Sequence, residues 1–437
     1  MAKTCPGSCC TAATDGELQG QDAGPLRCKQ CGGLTCALHA YIDSRGKWRC
    51  HKCFCPLEDP RRFPALHLTG GVPSPAGSEA HVVVVFHGLH ICGAARHCLE
   101  LLKTFNDAGM QTTMVAPQGG GQWADAFLEN CNDLILLTDA SPDARELSEI
   151  EWRAPRRIIS AHYDQAIAWA LEGRGQQAEF FAHFHTEPEF GYFTRATLLS
   201  AGRSARRIFF PSTSTMRSYH RMVNQLPEWW ATTCAVLPNA LPTSLKSPEA
   251  PSEELPRGDS SFNLGIVSRL DPDKLSIQFL LDALLSARKV IPRLRVRIAG
   301  NGTVGDELRH AVRQQGLAET VEILGWVNDI GAVYQWADAT FLPSHSETMP
   351  YAAIESISFG CPVALPALGF FSDDSAVSPL VYTFAPGSPD DAVDALTHAL
   401  KHTQPGSAHQ KPFSAGEWRR KVLQFYGIGQ EGEAGHD

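Results

Sequence analysis

Four side chains in the second half of the chain have types and spacings that could do chemistry: Arg269 and Lys274, then Glu347 and Glu355. An arginine fork and a lysine point charge beside a helix start can meet concentrated negative charge such as that of a phosphate group. Two carboxylates eight residues apart can line the same crevice, provided that a turn carries one and the following helix the other. Alone, each has a plainer reading: a solvated loop or helix glutamate, and two cations on a wet surface.

The elements around them decide between these readings. Ala339 to Leu342 is an apolar run of the length of a buried parallel strand, followed by a polar turn from Pro343 to Met349. Pro350 suits the first helical position, Tyr351 to Phe359 reads as the helix, and Gly360 as its stop. Val363 to Leu365 is the next strand. Glu347 thus sits on the turn and Glu355 in the second helical turn, at the carboxyl end of a parallel strand, where open α/β sheets bind ligands. The cations follow a strand, Phe262 to Val267, and Asp271-Pro272 has the residue types of a helix cap and first residue. Arg295 to Ala299 is a strand ending in Gly300-Asn301-Gly302, with a helix from about Asp306. Small residues there let backbone approach a ligand. Glu322 to Leu324 and Gly325-Trp326-Val327 form another strand and turn.

The pattern PS-x-x-E-x7-E followed by FGCPV resembles the signature of the retaining nucleotide-sugar glycosyltransferases of family 4, which have the GT-B fold of two Rossmann-like doubly wound α/β domains. The resemblance implies that Glu347 touches sugar hydroxyls of the donor, Glu355 holds the nucleotide ribose, and Arg269 and Lys274 meet the diphosphate. It also implies that Trp326 lies near the base, with stacking or a core role both open. The stretch GLHICGAARHCLEL resembles the family's G-G-A-E-R loop, with Gly93 and Ala94 for the paired glycines and Ala95 for the glutamate. His185, at a strand end in FAHFHTEPEF, resembles the histidine that contacts the donor sugar, with Glu187 and Glu189 as weaker candidates for the acceptor. The chain departs from the pattern at Thr348, where a glycine is usual, at Gly369-Phe370 in place of Gly-Gly, and at Ala240 in VLPNALPTS. The family transfers sugar with retention and without a catalytic metal.

The first half carries the same α/β rhythm. HVVVVF from His81, a turn with Gly88 and Gly93, a helix from His97 to Asn106 and a strand from Gln111 to Val115 open a βαβ unit. A dinucleotide-binding oxidoreductase would show G-x-G-x-x-G and an acidic residue after the second strand; neither is there. Further strands are expected at Leu134 to Leu137, Arg157 to Ser160, Glu179 to Phe184 and Arg207 to Phe210, and a closing helix at Trp418 to Phe425 crosses back to the first domain as in relatives.

The first 55 residues hold nine of the 14 cysteines. Cys28-x2-Cys31 and Cys50-x2-Cys53 enclose eighteen residues, the spacing of a four-thiolate zinc site. Cys5, Cys9 or Cys10, Cys36 and His39 could supply a second ion, in an interleaved arrangement that resembles RING and PHD modules. A closed four-ligand site has no position for water, so this module is structural or a docking surface for a protein partner. The organisation expected is therefore a zinc-binding module at 1–58, a linker at 59–80, an acceptor-side domain at 81–245, a linker at 246–261, a nucleotide-sugar domain at 262–411, a closing helix at 412–426 and a disordered tail at 427–437.

A net charge of −9 argues against nucleic acid as partner. No apolar run approaches a membrane span and no secretory leader is visible, so a cytoplasmic location is expected. A basic segment, Arg195 to Arg207, with Phe209-Phe210 beyond it, leaves open an anionic membrane surface or an ordinary solvated helix face. The expected activity is transfer of a sugar from a nucleoside-diphosphate donor to a glycan, lipid, small metabolite or protein. The rival is an inactive sugar-nucleotide-binding scaffold recruited through its zinc module.

Overall fold

The computed structural model describes residues 66–136, 157–160, 179–239, 261–401 and 415–428, apart from 76–79, 90–91, 118–119, 122, 189–193, 224–227, 292, 328 and 374–377. It also gives the backbone of five short strands ahead of these: β1 Leu26–Cys28, β2 Leu34–Thr35, β3 Ala40–Ile42, β4 Trp48–Cys50 and β5 Leu57–Glu58. Strand β1 pairs antiparallel with β2 and β5, and β3 with β4. The side chains of the proposed zinc ligands Cys5, Cys9, Cys28, Cys31, Cys36, His39, Cys50 and Cys53 lie outside the described residues, as do residues 246–260 of the interdomain linker and residues 429–437 of the tail.

The first sheet has eight strands: β6 Leu66–Thr69, β7 His81–Val85, β8 Gln111–Ala116, β9 Asp133–Leu136, β10 Arg157–Ser160, β11 Glu179–His183, β12 Arg207–Phe210 and β13 Cys234–Val236. They lie in the order β13-β12-β11-β10-β7-β8-β9-β6, parallel except for the edge pair β6 and β9. The described helices around it are α1 Gly93–Asp107, α2 Ala124–Glu129, α3 Arg195–Ser204, α4 Thr213–Met222 and α5 Trp230–Thr233. Strand β7 explains its unbroken valine run. With a side-chain period of two, Val82 and Val84 face the core shared with α1, while Val83 and Val85 face the core on the opposite side.

The second sheet has six strands, all parallel: β14 Phe262–Val267, β15 Leu294–Ala299, β16 Val321–Gly325, β17 Ala339–Phe341, β18 Val363–Pro366 and β19 Val381–Phe384, in the order β16-β15-β14-β17-β18-β19. Its helices are α6 Ile277–Val290, α7 Gly305–Gln314, α8 Gly331–Trp336, α9 Tyr351–Ser358, the short α10 Phe370–Asp373 and α11 Pro389–Lys401. The last helix, α12 Ala415–Phe425, follows this domain in sequence yet packs on the first. Trp418, Val422 and Tyr426 are buried there among Leu101, Phe105 and Phe181, and the Trp418 indole donates to the Pro238 carbonyl at 2.7 Å. At about 1.5–3 kcal/mol for each large apolar side chain removed from water, this contact holds the chain's end on the first domain.

Three local expectations are corrected. The stretch read as a linker at 59–80 contributes β6, whose pairing with β9 completes the sheet edge. Asp271-Pro272 does not begin a helix: Lys274 and Leu275 turn back onto the Asp271 carbonyl, and α6 starts at Ile277 under the Ser276 cap. The Asp271 carboxylate is already taken, accepting from the Thr303 backbone N–H and hydroxyl, both at 2.7 Å, and from Arg269. Pro350 is the cap of α9 rather than its first residue. Gly360 does stop that helix, at φ +70°. Among the described residues no helix is long and apolar enough to cross a membrane. Phe209 and Phe210, weighed as a membrane-facing pair, are buried inside the first sheet's cores.

Candidate functional site

Because the second sheet is parallel, the segments that follow β14, β15, β16, β17 and β18 all leave from one edge. Arg269 follows β14, Gly300 and Gly302 follow β15, Trp326 follows β16 and Glu347 follows β17. Helix α9 begins after the β17 loop and carries Glu355 in its second turn. The sequence-predicted Arg269, Lys274 and Glu347 therefore lie on loops at the ends of parallel strands, and Glu355 on the helix that follows one of them.

The cation loop is fixed by its neighbours. Arg269 donates to Asp271 at 2.7 Å and to Asp273 at 2.6 Å. Burial opposes its charge, but the Asp273 and Asp271 carboxylates outweigh that and hold the guanidinium above its ordinary value. Burial pushes the Asp273 carboxyl up, yet its bond to Arg269 outweighs this and leaves it below the usual range. Lys274 lies 2.9 Å from the Glu347 carboxylate and also donates to the Ser346 carbonyl. His345 N–H donates to the Lys274 carbonyl at 3.1 Å, so the two loops that carry the cation and the carboxylate are tied by backbone as well.

Gly300 and Gly302 serve the loop packing itself. A Cβ on Gly300, where φ is +147°, would lie 1.8 Å from the Ser268 carbonyl oxygen, and one on Gly302 would lie 2.1 Å from that of Leu270. The backbone after β15 can thus press against the Arg269 loop only as glycine. Trp326 is 46% exposed beyond β16, a position open to stacking rather than core packing.

Glu355 is buried, 3% exposed, and bonded twice. The Tyr334 hydroxyl donates to it at 2.7 Å, and Arg96 of α1 reaches it from the first domain. Burial raises the Glu355 carboxyl, with Arg96 and Tyr334 opposing the shift. Neither partner was singled out from the sequence. Arg96 is the arginine of the GAAR stretch, and that resemblance was the only signal for it; nothing local marks Tyr334.

The first domain supplies the facing wall. Gly93 opens α1 under the Cys92 cap, and a Cβ there would lie 3.4 Å from the Tyr351 ring. Ala94 is part-buried beside it. His185, two residues beyond β11, packs its ring 4.6 Å from that of His97. Of the departures from the family pattern, Thr348 acquires a partner in the first domain, Gly369-Phe370 packs on Thr348, and Ala240 lies outside the described residues. The Thr348 hydroxyl donates to the His185 carbonyl at 3.0 Å, and the Asn239 amide donates to the Met349 carbonyl at 2.8 Å. Gly369 sits at φ +55° where a Cβ would meet the Thr348 carbonyl oxygen at 2.1 Å, and Phe370 N–H donates to that same oxygen at 2.6 Å. Glu187 accepts from Thr215 at 2.6 Å, at the start of α4, and Glu189 lies outside the described residues.

With this geometry in place, residues 261–402 match the family described as glycosyl transferases group 1. Among curated proteins, the chain is 32% identical over 105 residues to the UDP-Gal:alpha-D-GlcNAc-diphosphoundecaprenol alpha-1,3-galactosyltransferase of Escherichia coli, 24% of this chain and 27% of that one. It is 32% identical over 113 residues to the D-inositol 3-phosphate glycosyltransferase of Mycolicibacterium gilvum, 24% of each chain. The chain thus spans about a quarter of the length of these curated relatives. Among solved structures, HepE of Anabaena in complex with UDP-glucose superposes with a TM-score of 0.59 at 15% identity, covering 79% of this chain and 99% of that one. The sucrose-phosphate synthase of Thermosynechococcus elongatus gives 0.58 at 16% identity, covering 79% and 94%. The protein carries a glycosyl transferases group 1 domain at 261–402, within an architecture of two α/β sheets that is the GT-B fold of these neighbours.

Proposed function

We propose that this chain is a retaining, family 4-type glycosyltransferase that moves a sugar from a nucleoside-diphosphate donor to a glycan or lipid-linked acceptor. The observation that carries the reading is the convergence of Arg269, Lys274, Glu347 and Glu355 on one strand-end crevice faced by His185 and α1 of the first domain. Arg269 and Lys274 stabilise charge that develops on the departing diphosphate, which is electrostatic catalysis by groups already held in place. A diphosphate oxygen accepts the acceptor's proton while the sugar passes through an oxocarbenium-like state, so the reaction centre needs no carboxylate base. Glu347 and His185 orient the sugar, and Glu355 takes the ribose hydroxyls, which is positioning. Gly93 and Ala94 leave room beside the phosphates, and Trp326 stacks on the base. The acceptor class follows the relative whose name includes a diphosphoundecaprenol-linked sugar. The cysteine-rich segment at 1–58 binds structural zinc and serves as a docking module.

The test is a panel of nucleotide-sugars scored by thermal shift on the zinc-replete chain, UDP-sugars first because HepE shares the fold and was solved with UDP-glucose. A ligand present at 100 times its dissociation constant stabilises the folded state by about 2.7 kcal/mol. A shift with one donor, followed by its hydrolysis or transfer, supports the reading. A shift with no hydrolysis or transfer overturns it in favour of the inactive sugar-nucleotide-binding scaffold, and no shift with any donor overturns both.

A further inference from the structure

Behind the crevice wall, three histidines from separate places in the chain meet. His97 lies on α1, His183 ends β11 and His185 stands two residues further on the same face of that strand's extension. One ring nitrogen from each lies within 4.8 Å of the others, and the ring centroids are 4.6, 5.2 and 5.6 Å apart. His97 and His183 are 0% and 1% exposed. Three imidazoles crowded together in an apolar core are an expensive arrangement unless something binds their lone pairs. Neither nitrogen of His97 has a hydrogen-bond partner among the described residues.

We propose that His97, His183 and His185 hold one divalent cation of the zinc class. Imidazole nitrogen is a preferred ligand for such ions, and at bonds of about 2.0–2.1 Å tetrahedral ligand atoms lie roughly 3.4 Å apart, within reach of small rotations of these rings. The surroundings supply what metal-binding histidines require on their far side, an oxygen that fixes the ring and its tautomer. The Tyr426 hydroxyl occupies His183 Nε2 at 2.5 Å, leaving Nδ1 for the ion. The Asn239 amide oxygen is itself unsatisfied while its NH2 is committed to the Met349 carbonyl. The ion's role is structural. It joins α1 to β11 and, through Tyr426, to the segment after α12, and it fixes the His185 ring at the crevice wall.

The test counts zinc in the full chain after saturation and desalting. The cysteine-rich segment is itself expected to take zinc, so the measurement is a difference. His97→Gln and His183→Asn should each retain one ion fewer per chain than wild type, and Cys28→Ser should lower the count without removing the histidine-dependent ion. Equal zinc in wild type and both folded histidine variants overturns the proposal. Should the variants fail to fold, the wild-type chain decides alone. With its cysteine segment already filled by zinc, it should take up cobalt with visible d–d absorption and no thiolate charge-transfer band. Failure to take up cobalt in that form overturns the site.

Discussion

Arg96 and Glu355 are bonded across the crevice, although 259 residues separate them in sequence. Arg96 stands on the first helix of the first domain, and Glu355 on the helix that follows β17 in the second. The carboxylate assigned to the donor ribose is therefore also the carboxylate that ties the two domains together. Its other oxygen is held by Tyr334, so Glu355 is fixed from both sides before any ligand arrives.

Removing the arginine should be felt in stability first. Arg96→Ala leaves Glu355 with Tyr334 alone in a buried setting. Breaking a fully buried pair costs about 3–5 kcal/mol, and a cost of about 2 kcal/mol is expected because the Arg96 side chain is 22% exposed. That corresponds to a fall of roughly 4–8 °C in melting temperature, read by calorimetry at neutral pH. Arg96→Lys should recover only part of it, since an ammonium lacks the planar fork that also lies over the Trp123 and Tyr351 rings. An unchanged melting temperature in Arg96→Ala would show the bond to be idle.

The same carboxylate gives a pH signature. Burial raises Glu355 above its ordinary value despite Arg96 and Tyr334. Between the unfolded and folded values the native state then binds more protons than the unfolded one, so stability falls as pH rises through that window. The cost of ionisation is fully present above the folded value and is relieved as pH drops toward the unfolded one. Glu355→Gln removes this titration. Wild type should therefore gain stability relative to Glu355→Gln as pH falls from 7 toward 4.5, in paired urea melts. A difference that is flat in pH, or that shrinks on acidification, contradicts the assignment.

Lys274 tests the chemistry. Its ammonium is shared between Glu347 and the Ser346 carbonyl, and both contacts lie where the diphosphate is proposed to sit. Lys274→Ala should lower kcat by about 10²–10³-fold, the loss seen when one preorganised donor to a developing anion is removed. The fold should persist, because the backbone bond from His345 to residue 274 does not depend on the side chain. Turnover equal to wild type in a folded variant would remove Lys274 from the catalytic set.

What the sequence revealed and what it hid divide along locality. Strands β10, β12 and β14 have the bounds expected from their residues, because an apolar run flanked by turn-formers is a local signal. The strand–turn–helix from β17 to α9 was legible for the same reason, with Glu347 on the turn and Glu355 on the helix. The failures are non-local. Asp271 and Ser276 both have cap chemistry, and the choice between them rests on Thr303, 32 residues away, which claims the Asp271 carboxylate. Strand β6 hides in a Pro- and Gly-rich stretch because its only pairing partner is β9. The histidine cluster needs α1 laid against β11, a contact that no residue spacing within either element announces.

Two glycines with positive φ separate site packing from simple chain freedom. Gly300 at φ +147° has the Ser268 carbonyl oxygen 1.8 Å from where a Cβ would stand, whereas Gly316 at φ +65° has nothing within 4 Å. Gly316→Ala pays only for its backbone conformation, on the order of 1–2 kcal/mol. Gly300→Ala adds a collision with backbone that cannot turn aside, so the Ser268 to Leu270 segment must move, and Arg269 with it. It should cost several kcal/mol more than its counterpart, at the level of the large effects attached to core overpacking. Nucleotide-sugar affinity should separate the two variants as well, lost in Gly300→Ala and retained in Gly316→Ala, read by calorimetric titration on protein shown to be folded. If both variants bind alike, the close approach of the two loops is not what shapes the site.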